Sequence, residues 1–85
     1  MGETAKLKTL ADLRVAETGR VRELVGVPAM TQRLAEMGLT AGSQVRVVRI
    51  APLGDPVQIA VRSYQLSLRR SEMRCVLVDA DSDPR

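Results

Sequence analysis

Hydrophobic and polar residues alternate along much of this 85-residue chain, and that alternation is typical of half-buried β-strands. It is clearest in Val57-Gln-Ile-Ala-Val61 and Tyr64-Gln-Leu-Ser-Leu68, where every second side chain is large and apolar. Valine is the most frequent apolar residue, and β-branched side chains pack well on a pleated surface. The pattern predicts strands at residues 20–25, 44–51, 57–61, 64–68 and 75–78.

A different spacing marks the segment that begins at Pro28. Met30, Leu34 and Met37 recur at intervals of four and three residues, which places them on one face of a helix. Proline is favoured in the first helical turn, and Gly38 can adopt the left-handed conformation that ends many helices. The sequence therefore predicts one substantial helix at residues 28–37, with single helical turns at 9–13 and 71–74.

The connections between the predicted strands are short, which favours an antiparallel arrangement. The turn Pro52-Leu-Gly-Asp-Pro56 separates two strands, and Arg62-Ser63 joins the next two as a hairpin. In the preceding strand the alternation slips at Val47-Val48, as it does where a strand bulges or bends sharply. We therefore expect a mainly β fold: a small, closed or nearly closed barrel of about five strands, with one α-helix inserted after the first strand.

No repeat or linker interrupts this pattern, so the chain is predicted to form a single domain over residues 8–78. Residues 1–7 are expected to be a flexible N-terminus, and the acidic stretch at 79–85 a disordered tail. The last strand would hold Cys75 as a small buried apolar side chain. An edge left open beside Val76-Leu-Val78 would allow the chain to pair with a second copy of itself.

The missing residue types exclude several classes of chemistry. With no histidine and one cysteine, the chain cannot form an internal disulfide, a zinc-finger site or a Ser-His-Asp triad. No apolar run approaches the roughly 20 residues of a membrane span, and the first residues lack a signal-peptide core, which indicates the cytoplasm. The glycines form no phosphate-binding loop, and Glu36, Asp55 and Glu72 are predicted to be separate surface acids. We therefore expect no enzymatic activity, no cofactor and no metal site.

The net charge of +3 is distributed unevenly. Residues 20–74 carry nine arginines against four acidic residues, a balance of +5, whereas the C-terminal stretch is acidic. This basic region suits a macromolecular partner, because arginine makes bidentate contacts with carboxylates and phosphates. Nucleic acid is one alternative, although a single tyrosine offers bases little surface for stacking. Protein–protein binding through the helix and the Pro52–Pro56 turn is the other alternative.

Several motifs of the chain are similar to those of one bacterial family. The most specific are Arg33-Leu-Ala-Glu-Met-Gly-Leu-Thr-Ala-Gly42 and Ala51-Pro-Leu-Gly-Asp-Pro56, supported by Leu10-Ala-Asp-Leu13, Gly19-Arg-Val21, Val45-Arg-Val47 and Tyr64-Gln-Leu-Ser-Leu-Arg69. Together they resemble the FeoA family, small cytoplasmic proteins of the bacterial ferrous iron transport system. The resemblance covers residues 8–78 and implies an SH3-like β-barrel with a helix after its first strand. One departure is Ser63, which stands where the family usually has glycine, so a positive φ there would cost about 1 kcal/mol.

The resemblance implies an accessory function. It implies that the chain acts through protein contact on FeoB, a large GTP-driven membrane permease for ferrous iron, and uses no small-molecule substrate. This implies a cytoplasmic protein that its partner recruits to the inner membrane, with no segment inserted into the bilayer. Similar domains occur at the C-terminus of iron-dependent repressors, so an iron-responsive regulatory domain is a further alternative. The partner-binding residues that the motifs suggest are Met30, Arg33, Met37, Leu53, Gly54, Asp55 and Tyr64.

Overall fold

Six strands and two helices make up the computed structural model, which describes residues 8–80. The strands are β1 (Lys8–Thr9), β2 (Thr18–Leu24), β3 (Gln44–Ile50), β4 (Val57–Val61), β5 (Tyr64–Leu68) and β6 (Val76–Ala80). The helices are α1 (Pro28–Glu36) and α2 (Arg70–Met73), and a 3₁₀ turn follows β1 at Leu10–Asp12. All strands belong to one antiparallel sheet with the order β1-β6-β2-β3-β4-β5. The mainly β architecture, with α1 after the first long strand, confirms the predicted fold class.

The sheet has one strand more than the sequence predicted. Lys8 and Thr9 form β1, which pairs with Val78 and Leu77 of β6. A two-residue strand is too short to show an alternation, so no sequence pattern could mark it. Because β6 lies between β1 and β2, the prediction of an open edge beside Val76-Leu-Val78 is wrong. The two outer strands of the sheet are β1 and β5.

The slip in the hydrophobic pattern of β3 corresponds to a bulge. Val47 lies opposite Ile59 of β4 and Arg49 lies opposite Gln58, so Val48 is the extra residue. The side chain of Val47 is buried, whereas that of Val48 is half-buried. A bulge bends its strand and increases the local twist, which helps a small sheet to curl around its core. The predicted irregularity at Val47-Val48 is therefore confirmed.

The apolar core joins the inner face of the sheet to both helices. In β3, Val45 and Val47 are buried while Arg46 between them is exposed, as alternation requires. Leu34 holds α1 and Met73 holds α2 against the same apolar cluster. Burial of a side chain such as Leu34 contributes about 1.5–3 kcal/mol, so the single fully buried leucine is the main attachment of α1.

The C-terminal strand begins and ends later than its sequence pattern suggested. It starts at Val76, so Cys75 precedes the strand, and the prediction of a buried strand cysteine is wrong: the thiol is half-buried. The strand continues through Asp79 to Ala80, because β2 supplies backbone partners for both residues. Asp79 also forms an ion pair with Arg22 at 3.0 Å. The strand thus ends two residues beyond its predicted end, and the segments 1–7 and 81–85, predicted to be a flexible N-terminus and part of a disordered tail, lie outside the described residues.

Candidate functional site

The turn between β3 and β4 carries the most exposed large apolar side chain of residues 8–80. Leu53, near its tip, is 96% exposed. The turn closes on itself, because the amide of Ala51 donates to the carbonyl of Pro56 at 3.1 Å and the amide of Gly54 donates to that of Ala51 at 2.7 Å. Gly54 has a φ of +92°, a conformation that other residues rarely adopt. The predicted turn therefore presents Leu53 to solvent on a defined backbone.

Arg70 of α2 fixes this turn from the neighbouring element. Its Nε donates to the carbonyl of Gly54 at 2.7 Å, and its backbone amide donates to the carboxylate of Asp55 at 3.0 Å. Its Nη1 reaches the carbonyl of Ala11, in the 3₁₀ turn, at 3.1 Å. One side chain thus ties together three segments that are distant along the chain. Sequence reasoning missed Arg70, because backbone carbonyls occur at every residue and nothing marks those that a given arginine will reach.

A buried carboxylate lies beside the turn. Glu72 is 6% exposed, and its Oε1 accepts the amide of Arg69 at 2.8 Å at the start of α2. Its Oε2 forms an ion pair with Arg33 of α1 at 3.2 Å. The prediction that Glu72 is a separate surface acid is wrong, because α2 turns this side chain back onto its own N-terminus.

Two of the predicted site residues meet Glu72 in one surface depression of about 300 Å³. Arg33 of α1 and Asp55 of the turn line it, together with Pro56, Ser67, Arg69 and Glu72. The spacing of the acids in the sequence gave no reason to place Asp55 and Glu72 together, but the fold does so. Each carboxylate already accepts a backbone amide, and arginines lie beside both. These charges of both signs are suited to the recognition of another polar surface.

Tyr64 and Met37 meet at the other end of the same helix. The Tyr64 hydroxyl, at the start of β5, donates to the carbonyl of Met37 just after α1. Gly38 has a φ of +100°, and a Cβ at this position would collide with the Tyr64 hydroxyl. Gly38 therefore allows the helix to end here and allows the Tyr64 hydroxyl to approach the end of the helix closely.

The two methionines of the predicted site contribute to the core. Met30 and Met37 are half-buried and pack against the apolar cluster, as methionine does where a gap is irregular. Tyr64 keeps 42% of its surface exposed beside Met37. A part for these three residues in binding a partner stays a prediction.

The hairpin between β4 and β5 has its positive φ one residue earlier than expected. Arg62 has a φ of +55°, whereas Ser63 has no positive φ. The predicted positive φ at Ser63, and the energetic cost that goes with it, is therefore wrong. A strain on the order of 1 kcal/mol falls on Arg62 instead. The position of the strain follows from the register, in which Val61 lies opposite Tyr64 and only two residues turn the chain.

We expect Glu72→Ala to lower the free energy of unfolding by about 1–2 kcal/mol, because the amide of Arg69 loses its acceptor and Arg33 loses its counter-ion. Glu72→Gln keeps an oxygen for the amide and loses only a partly exposed ion pair, so it should cost less than about 1 kcal/mol. Urea unfolding followed by circular dichroism measures both values. Equal losses would show that the ion pair, and not the bond to the amide, carries the stability.

Two kinds of site are absent from the described part of the chain. Residues 8–80 contain no group of three or more histidine, cysteine, aspartate or glutamate side chains placed to hold a metal ion. In the same residues, no helix has the length and apolar character needed to cross a membrane. What these residues do present is the exposed Leu53 turn with the charged depression beside it.

A model of the FeoA domain matches residues 8–80. An Fe(2+) transport protein A/Fe(2+) transporter FeoB fusion protein from Porphyromonas gingivalis is 31% identical to the chain over 70 residues. The match takes in 82% of this chain and 8% of that relative, so the chain spans only a small part of the relative's length.

Solved structures share the fold over most of the chain. The FeoA-like protein of Clostridium acetobutylicum is 27% identical, with a TM-score of 0.86, and the match covers 96% of this chain and 95% of that one. The FeoA of Stenotrophomonas maltophilia, solved with zinc and described as a prokaryotic SH3 domain protein, is 32% identical, with a TM-score of 0.75 and coverage of 85% and 89%. A manganese-dependent transcriptional repressor, 22% identical with a TM-score of 0.79 over 92% of this chain and 44% of its own, shares the fold alone. These likenesses confirm the predicted SH3-like fold.

Proposed function

The chain belongs to the FeoA domain family, and we propose that it is a cytoplasmic accessory protein of bacterial ferrous iron uptake. In this proposal it binds the cytoplasmic part of a FeoB-type permease by protein contact and carries out no chemical reaction itself. The permease transports the ferrous ion, and the accessory protein reaches the inner membrane only through this partner.

The fusion protein of Porphyromonas gingivalis supports this pairing. Its name places an Fe(2+) transport protein A and an Fe(2+) transporter FeoB in one polypeptide, and this chain is similar to part of it. A covalent link raises the effective concentration of one module beside another, which is useful where the two modules bind each other. We therefore propose that the separate chain binds a transporter of the same kind.

The observation that carries the proposal is the position of Leu53. A leucine that is 96% exposed contributes almost nothing to the stability of the free protein. Arg70 holds the turn that bears it, so its backbone is already ordered before a partner arrives. A side chain presented in this way loses little entropy on binding and removes apolar surface from water when a partner covers it.

Charged groups beside Leu53 would orient the partner. Arg33 and Asp55 line the adjoining depression and carry opposite charges, which favours one orientation of a complementary surface over others. We term the proposed contact region the Leu53 surface. It consists of Met30, Arg33, Met37, Leu53, Gly54, Asp55 and Tyr64.

We expect Leu53→Asp to weaken binding to the cytoplasmic part of the FeoB permease from the same organism at least tenfold. The contact would then bury a carboxylate that has no partner, which is unfavourable. The free protein should remain as stable as the wild type, because the side chain at this position lies in solvent. Isothermal titration calorimetry measures the affinity, and ferrous iron uptake by cells that lack the native gene measures the consequence.

Val27→Asp is the matched control for this experiment. Val27 is 66% exposed at the N-cap of α1, where aspartate is well tolerated, and it lies outside the Leu53 surface. This variant should bind the permease as the wild type does. Wild-type affinity of Leu53→Asp would place the contact elsewhere on the molecule, and a wild-type protein that does not bind the permease would refute the proposed function.

A further inference from the structure

A second concave surface lies on the outer face of the sheet. Thr18, Arg46, Ala60 and Gln65 stand side by side across β2, β3, β4 and β5. Two depressions of about 490 and 240 Å³ adjoin here, and both include Arg46 and the small side chain of Ala60. Because they share these residues, they form one groove, which runs beside β3 from Gln44 to Val48, about 13 Å at roughly 3.3 Å per residue. We term it the Ala60 groove.

One end of the Ala60 groove is basic. Arg46 and Arg62 line it, and Arg20 is exposed on the adjacent β2. The guanidinium of Arg62 donates to Ser43 Oγ at 3.3 Å and that of Arg20 to the carbonyl of Gly42 at 3.4 Å, both of them uncharged acceptors. No ion pair within residues 8–80 involves any of these three arginines. This end of the groove therefore presents positive charge that no ion pair within residues 8–80 neutralises.

The other end of the groove is more apolar, although Arg46 and Gln65 also line it. Val15 is 50% exposed there, beside Ala16 and the half-buried Val48 of the bulge. A ligand that fills the whole groove would therefore meet arginines at one end and aliphatic side chains at the other.

Backbone strain is concentrated at the same place. Among residues 8–80, the non-glycine residues with positive φ are Ala16, at +76°, and Arg62, at +55°, and they line opposite ends of the groove. Glycine would adopt either conformation without strain. Strained residues of this kind cluster at ligand-binding sites, where the strained backbone holds a functional group in place. At Arg62 that group is a guanidinium.

We propose that the Ala60 groove binds a short acidic segment of a partner protein, in which carboxylates stand next to an apolar side chain. Arg46 and Arg62 bind the carboxylates, since a guanidinium matches the geometry of a carboxylate, and the apolar side chain packs on Val15. About four residues of extended chain, at roughly 3.3 Å each, span the groove. This interaction uses a different face from the Leu53 surface and does not depend on the proposed contact with the permease.

Positive charge alone would also attract nucleic acid, but the other features of the groove favour a peptide. A sugar–phosphate backbone has no aliphatic group to cover Val15, and no aromatic side chain lines the groove for a base to stack on. A carboxylate next to an aliphatic side chain matches both ends of the groove.

The test is an NMR titration of the ¹⁵N-labelled full chain, at low ionic strength, with an end-capped peptide of alternating glutamate and leucine. We expect chemical-shift changes confined to residues 15–18, 44–48 and 60–65. The same peptide with glutamine in place of glutamate should bind at least tenfold more weakly. Arg46→Glu should lose affinity for the acidic peptide to a similar degree, whereas Arg74→Glu, the same change on an exposed residue outside the groove, should bind as the wild type does.

Arg62→Gly separates binding from folding. Relief of the positive φ should raise the melting temperature by a few degrees, while the affinity for the acidic peptide falls at least fivefold. Shift changes outside the groove, or equal affinities of Arg46→Glu and Arg74→Glu, would overturn the proposal. Tighter binding of oligothymidine in the groove would identify nucleic acid as the occupant instead, and a dimer of the free chain that Arg46→Glu dissociates would identify a second copy; either result would overturn it too.

Discussion

Gly38→Ala is expected to lower the free energy of unfolding by about 2–3 kcal/mol and the melting temperature by roughly 10–20 °C. At a φ of +100°, any side chain adds strain of roughly 1–2 kcal/mol. The new Cβ would also collide with the Tyr64 hydroxyl, so the hydrogen bond from Tyr64 to the carbonyl of Met37 is lost, at a cost of about 1 kcal/mol more. Thermal unfolding followed by circular dichroism measures the change.

A double-mutant cycle separates the two causes. In a Tyr64→Phe background, which lacks the hydroxyl, Gly38→Ala should cost little more than the backbone strain of roughly 1–2 kcal/mol. Gly42→Ala is the matched control, because Gly42 has a φ of +92° with open space where a Cβ would lie. If Gly38→Ala and Gly42→Ala destabilise the wild-type chain equally, the close approach of Tyr64 contributes nothing to the requirement for glycine.

Arg70→Ala is expected to lower the free energy of unfolding by about 2–3 kcal/mol. The carbonyls of Gly54 and Ala11 each lose a charged donor in a partly buried setting. The turn that bears Leu53 is released at the same time, so the affinity for the FeoB permease should fall severalfold even though Arg70 lies outside the Leu53 surface. Urea unfolding and calorimetry on the same preparations measure the two effects.

Two further variants test this interpretation of Arg70. Arg74→Ala makes the same change on an exposed arginine nearby and should cost less than about 0.5 kcal/mol. Arg70→Lys keeps the charge but lacks the planar fork that reaches both carbonyls, so it should recover only part of the stability. A loss of permease binding by Arg70→Ala with no loss of stability would mean that Arg70 touches the partner directly.

The turn that bears Leu53 and the side chains that support this turn differ in how far they could be predicted from the sequence. Pro52, Gly54 and Pro56 restrict their own backbone, so the turn follows from residue types alone. The hydrogen bonds around the turn do not follow from residue types, because Arg70 and Glu72 bond to backbone groups that are chemically the same at every residue. The resemblance to the FeoA family located the motifs that line the depression but not the contacts that hold them in place.

By itself the sequence determined most of the elements of this protein. The alternation of β4 and β5, the helical spacing from Pro28 and the slip at Val47-Val48 all act over a few residues, and the structure contains each of them. The tertiary structure alone decided the strand at Lys8–Thr9, the extension of β6 to Ala80, the positive φ at Arg62 and the grouping of Ala16 with Arg46 and Arg62 around one groove. Each of these depends on a partner that is distant along the chain, and residue types and spacing record local preference but not which distant groups will meet.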